Sequence, residues 1–240
     1  PKVEKQIISF KNGLAELPQL LVAALGESVH TNVSISSIQK IGADWRVDWN
    51  GKTHIYDEIL VTTPSHALDK LPFDESLQKA LQPLLAIDYS PLSVLTVAFE
   101  HSDVAHPLDG FGMLVPECEG RKILGVLFPA SLFAGRAPAG ELLMTVFVGG
   151  ERQAELAVPD KDTLLATVLP ELKELFGTTG EPTFSHHRHW PRAIPQYNLG
   201  YGKMLAQMEA IEKKFAGLKL AGNYRDGISL SYCIEAAVSK

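Results

Sequence analysis

The chain has 240 residues, 45% of them hydrophobic, and a formal net charge of −6, enough for one large or two small cores. Its acidic balance, with a pI near 5.8, argues against nucleic acid or an anionic membrane as obligatory partner. No apolar run approaches the roughly 18 residues of a membrane span, so membrane contact is at most peripheral. The opening PKVEKQIISF lacks the apolar core of a signal peptide. Cys118 and Cys233 stand far apart with no CxxC spacing, which reads as two reduced thiols in a cytoplasmic protein.

The first periodic segment, 14–25, carries Leu14, Leu17, Leu20, Leu21, Ala24 and Leu25 on one stripe, and predicts a core helix closed by Gly26. Strand patterns follow at 29–33, 34–41, 45–49 and 54–56, with Asn50-Gly51 as a type I′ hairpin signal. Residues 59–63 form an apolar strand stopped by Pro64. A helical stretch over 74–86 puts Leu77, Leu81, Leu84 and Leu85 on one face. Long apolar strands are then predicted at 92–99, 110–115, 122–128 and 142–148. Such runs suit a sheet with a helix on one face and a ligand or second layer on the other. A helix over 160–176 starts at Asp160 and stops at Gly177. Residues 183–190 alternate as a strand. His187 and His189 share one face and His186 the other. With no acid or cysteine nearby to complete a set, no metal site is expected.

The last fifty residues hold the functional signal. Residues 203–215 form a helix, 218–221 a short apolar strand, and Gly222-Asn223 end it. Asp226-Gly227 turn the chain, and a helix begins near Ile228. A strand that feeds a glycine turn and a helix start offers free N–H groups and a positive dipole end. That suits an anionic or electron-rich ligand, or is an ordinary connection. No nucleophile elbow, acidic dyad or HExxH is present, so no catalytic side chain is assigned.

These segments resemble the C-terminal end of protoporphyrinogen and coproporphyrinogen oxidases, within the flavin amine oxidase superfamily. The resemblance is carried by Trp190, Ile194-Pro195-Gln196-Tyr197, Gly200, Leu220-Ala221-Gly222-Asn223, Tyr224, Gly227, Cys233-Ile234 and the loop Phe133-Ala134-Gly135-Arg136-Ala137-Pro138. Tyr201, Ser229, Ser231 and Tyr232 depart from the family pattern. No GxGxxG follows a strand, so the resemblance implies the C-terminal half of a longer enzyme. The missing N-terminal half is its partner, and the chain alone is inactive.

The resemblance further implies an α+β fold in two parts. Residues 1–64 and 183–240 give the second half of an FAD-binding domain, with a β-meander, a return strand and the C-terminal helix. Residues 65–182 give an inserted sheet-and-helix substrate domain. The cofactor is FAD, with Val33 at the adenine, Trp190 near the ring system, and Gly222, Ile228, Ser229 and Leu230 at the bend. The substrate is a porphyrinogen, walled by Phe111, Leu127 and Phe147. Arg136 reads as a carboxylate clamp or, from its loop context, as a brace tying that loop to a neighbour. Two other readings stay open: another superfamily member, such as an amine oxidase or carotenoid desaturase, or a tetrapyrrole- or partner-binding module without redox chemistry.

Overall fold

A computed structural model describes residues 7–239. Residues 1–6, where most of the signal-peptide reading rests, and Lys240 lie outside it. Helix α1 is Glu16–Leu25, with Pro18 in its first turn and Gly26 (φ 55°) at its end. The sequence predicts a core helix here, but no residue of α1 is buried, and Leu20, Leu21 and Leu25 stand more than half exposed. An apolar stripe marks a face suited to burial; it does not by itself supply a covering element. The strand expected at 29–33 is likewise absent. Asn32 adopts φ 58°, a left-handed conformation that no extended strand tolerates.

Strands β1 (Ile35–Ile41), β2 (Asp44–Trp49) and β3 (Lys52–Tyr56) form the antiparallel meander. At the β2–β3 turn Asn50 (φ 48°) and Gly51 (φ 73°) are both left-handed, as a type I′ hairpin requires. Strand β4 (Ile59–Val61) follows, and then helix α2 (Glu75–Leu81). The Asp74 carboxylate caps α2 by accepting from Leu77 N–H at 3.0 Å.

A second sheet is built from β5 (Tyr89–Glu100), β6 (Gly112–Leu114), β7 (Gly125–Leu127), β8 (Glu141–Gly149) and β9 (Phe184–Pro195). The short helix α3 (Pro129–Leu132) precedes β8, and α4 (Lys161–Phe176) lies between β8 and β9. The order is β6-β7-β8-β5-β9, antiparallel throughout. Asp160 caps α4 through Thr163 N–H at 2.7 Å, and Gly177 ends it at φ 63°. Leu164, Val168, Leu172 and Phe176 of α4 pack with Leu95, Val97, Met144 and Val146 of the sheet. The opposite face carries Leu92, Val94, Leu127 and Phe147, none fully buried. The chain closes with α5 (Gly202–Lys214), β10 (Leu218–Leu220) and α6 (Leu230–Ser239); β10 pairs parallel with β4.

Two cores result. One joins Trp45, Leu77, Leu84, Met208, Ile211 and Tyr224; the other is the sheet–α4 layer. The mixed helix-and-sheet class is the expected one. The expected boundaries at 64/65 and 182/183 do not coincide with these cores. Residues 68–87 contribute to the first core, and β9 pairs with β5 from Phe184↔Ala98 to Pro195↔Tyr89.

His187 and His189 do share a face. His187 Nε2 lies 3.1 Å and His189 Nδ1 3.2 Å from Ser93 Oγ, which donates to Val158 C=O at 2.9 Å. Ser93 has one hydrogen and gives it to a carbonyl, so both imidazoles donate to its oxygen. Burial pushes His187 below the ordinary imidazole value, helped by His189 and His186 and partly opposed by Asp160. The unfolded chain therefore binds more protons than the folded one near that value. Stability is full above about pH 6.5 and falls as pH drops through it toward the lower folded value. Thermal melts from pH 7 to 5 are expected to show a falling midpoint. His187→Gln, which keeps a donor for Ser93, flattens that fall; parallel curves for the two proteins would overturn the assignment.

Candidate functional site

The site is built where β10 leaves the first core. Ala221 N–H donates to Val61 C=O at 3.0 Å and prolongs the parallel pairing. Gly222 then turns at φ 138°, where a Cβ would stand 3.1 Å from the Tyr224 ring, so this position calls for glycine. Arg225 and Asp226 N–H groups both donate to Gly222 C=O. The Arg225 guanidinium holds both Glu212 oxygens and donates to Leu220 C=O at 2.8 Å, while Glu212 accepts from Leu220 N–H at 2.7 Å. One carboxylate thus ties α5, β10 and the bend together.

Two tyrosines from the loop before α5 complete the bend. The Tyr197 hydroxyl donates to Asn223 C=O at 2.6 Å and accepts from Gly227 N–H at 3.1 Å. The Tyr201 hydroxyl donates to Tyr224 C=O, and the two loop rings stack with centroids 4.5 Å apart. Burial raises all three phenols, Tyr197, Tyr201 and Tyr224, above the ordinary tyrosine value, so they stay protonated; Tyr197 and Tyr201 donate, while the buried Tyr224 hydroxyl has no partner among the described residues. Tyr201, a departure from the family pattern, here supplies a bond to the bend.

Ser229, another departure, is the N-cap of α6: its Oγ accepts from Tyr232 N–H at 3.2 Å. Among the described residues, the N–H groups of Ile228, Ser229, Leu230 and Ser231 have no hydrogen-bond partner. They stand at the positive end of the helix. Beside them opens a cleft of about 500 Å³, lined by Leu60, Thr62, Gly222, Asn223, Ile228, Leu230, Cys233 and Ala236 among others.

Gly222, Ile228 and Leu230 therefore line one cleft, and Ser229 caps the helix at its rim. Val33 and Trp190 do not line it. Val33 sits half-buried just before β1, and among the described residues neither its N–H nor its C=O is bonded. Trp190 lies on β9 opposite Leu92, 45% exposed. Leu127 and Phe147 share an apolar groove of about 260 Å³ on the open sheet face, with Leu92, Met113 and Ile194. Phe111 stands outside that groove, and its C=O accepts from Phe128 N–H. Arg136 is a brace: it donates to Ser9 Oγ at 2.8 Å and Phe10 C=O at 2.6 Å.

Thr62, Asn223 and Cys233 line the cleft without having been singled out as site residues, and Glu212 shapes it. Cys233 and Asn223 lie inside quoted motifs; Glu212 gives no local signal, because its partners stand eight and thirteen residues away.

A parallel strand opening through a glycine bend onto a helix start, beside an apolar cleft, has the form that suits an electron-rich or anionic ligand. The chain belongs to the flavin containing amine oxidoreductase family, whose model matches residues 2–239. Its cofactor is FAD. It is 37% identical over 189 residues to the mitochondrial protoporphyrinogen oxidase of Nicotiana tabacum, covering 75% of this chain and 37% of that one. It is 23% identical over 234 residues to coproporphyrinogen III oxidase of Staphylococcus aureus, covering 95% and 50%. The fold matches the crystal structure of a candidate protoporphyrinogen oxidase from Exiguobacterium sp. 255-15 with a TM-score of 0.78 at 22% identity, covering 96% and 50%. The chain spans about half, or less, of the length of these relatives. Among the described residues no helix is long and apolar enough to cross a membrane.

Proposed function

We propose that this chain supplies the ring-holding and substrate-facing half of an FAD-dependent porphyrinogen oxidase of haem biosynthesis. In this reading the first core is part of an FAD-binding domain, and the five-stranded sheet belongs to an inserted substrate domain. The observation that carries it is the cleft at the glycine bend, with unpartnered N–H groups at its rim. Those groups fit an electron-rich ring edge, and the apolar lining fits its flat faces. Backbone at Gly222, Ile228, Ser229 and Leu230 would hold the ring; the free N–H and C=O of Val33 match the donor–acceptor edge of adenine; Trp190 would stand near the ring system.

The chemistry supplied by bound flavin is acceptance of hydride equivalents from the reduced tetrapyrrole and their transfer to oxygen or another acceptor. The chain's own residues position and shield. Leu127 and Phe147, with Phe111 at the margin, would wall the macrocycle and exclude water. Backbone donors at the helix start would favour negative charge on the ring. In this reading a phosphate-binding half is the partner, the chain is expected to be inactive without it, and the two free thiols suit a reducing compartment.

The test loads the protein with FAD, its complementary half present, and follows porphyrin fluorescence from coproporphyrinogen and protoporphyrinogen. Flavin retention with neither porphyrin formed would sink the reading. A tetrapyrrole-binding module without redox chemistry would instead quench Trp45, Trp49 and Trp190 with coproporphyrin and show no response to FAD.

A further inference from the structure

Seven arginines occur in the chain, and five of them are tied down. Arg46 pairs with Asp48, Arg121 with Glu171 and Glu174, and Arg225 with Glu212. Arg136 and Arg152 donate to the backbone carbonyls of Phe10 and Val115. Among the described residues, the side chains of Arg188 and Arg192 have neither an ion pair nor a hydrogen bond. Arg192 falls at the β5–β9 bulge, outside the paired register.

Arg188 is placed differently. His187 and His189 point to the α4 side, where they meet Ser93, so Arg188 projects from the open face. Its register neighbour on β5 is Val94, whose neighbour on β8 is Phe147. At about 4.8 Å per strand, Arg188 stands roughly 10 Å along the same row from the aromatic wall of the apolar groove. Its guanidinium lies over the Trp190 ring, 4.6 Å from the centroid, which limits its orientations and leaves its fork of N–H donors unused.

We propose that Arg188 is the carboxylate anchor of the open face: it takes a carboxylate carried on the rim of a large apolar ligand lying across Phe147 and Leu127. The inference rests on the porphyrinogen reading, since such tetrapyrroles carry propionate side chains. It assigns to Arg188 the role that the loop position of Arg136 suggests, Arg136 itself being tied to Ser9 and Phe10.

The experiment titrates the flavin-loaded protein, complementary half present, with protoporphyrin IX and with its dimethyl ester. Binding is read by tryptophan quenching for the wild type, Arg188→Gln and Arg188→Lys. Arg188→Gln is expected to weaken diacid binding about tenfold or more and leave ester binding unchanged, with Arg188→Lys recovering part of the loss. Unchanged diacid affinity, or equal losses for diacid and ester, would overturn the anchor while the porphyrinogen reading stands. Failure of the wild type to bind either porphyrin would overturn both.

Discussion

Gly227→Pro is expected to abolish flavin retention. Gly227 sits at φ 111°, whereas proline is confined near −65°. A Cβ at this position would stand 2.9 Å from the Tyr232 Cβ, and the N–H given to Tyr197 Oη would be lost. Such a misfit costs about 3 kcal/mol or more. Spent wholly on re-forming the bend, that is roughly a hundredfold in affinity. Flavin absorbance after gel filtration gives the occupancy, and Tyr197→Phe is the control that removes the acceptor and keeps the backbone. Tyr197→Phe should lose flavin partially and Gly227→Pro almost fully. Normal occupancy in the proline variant would show that the ring is held elsewhere.

Glu212→Ala should destabilise the protein through a tie that reaches beyond the bend. The Glu212 and Arg225 side chains are 17% and 14% exposed. Removing the acid leaves a mostly buried guanidinium with the more distant Asp226 carboxylate, 3.9 Å away, and takes away an acceptor of Leu220 N–H. Breaking a buried pair costs about 3–5 kcal/mol; the residual exposure argues for about 3, a midpoint lowered by roughly 6–12 °C. Glu212→Gln, which keeps an acceptor, should lose less. If Glu212→Ala melts within a degree or two of the wild type, the tie between α5, β10 and the bend has been overrated.

The features legible from sequence are those whose cause is local. Asn50-Gly51 specifies its turn because both residues accept positive φ. Asp160 and Gly177 mark the ends of α4 because a carboxylate caps N–H groups and a glycine accepts the left-handed stop. The bend from Gly222 to Leu230 was readable as a strand feeding a helix start. Ser229, a mismatch to a family pattern, proved a cap, which its residue type alone would have suggested.

What sequence did not give depends on distant partners. The β-rich run at 29–33 resembles a strand until Asn32 takes φ 58°. The stripe on α1 looks like core, yet burial is decided by what a helix packs against. Alternation along 183–190 identified a strand, but nothing in a period of two says that its neighbour is β5, some ninety residues earlier. The same limit separates Phe111 from Leu127 and Phe147: all three look like wall residues, and only pairing register shows which two share a groove.

β9 ends its sheet, so one flank of a long extended segment is hydrogen-bonded to no other strand among the described residues. Pro191 interrupts that flank, because it offers no donor. An incoming polypeptide could zip along 184–190 and no farther. Two such margins meeting antiparallel would satisfy each other and stop, so association through this flank favours closed pairs over growing fibrils.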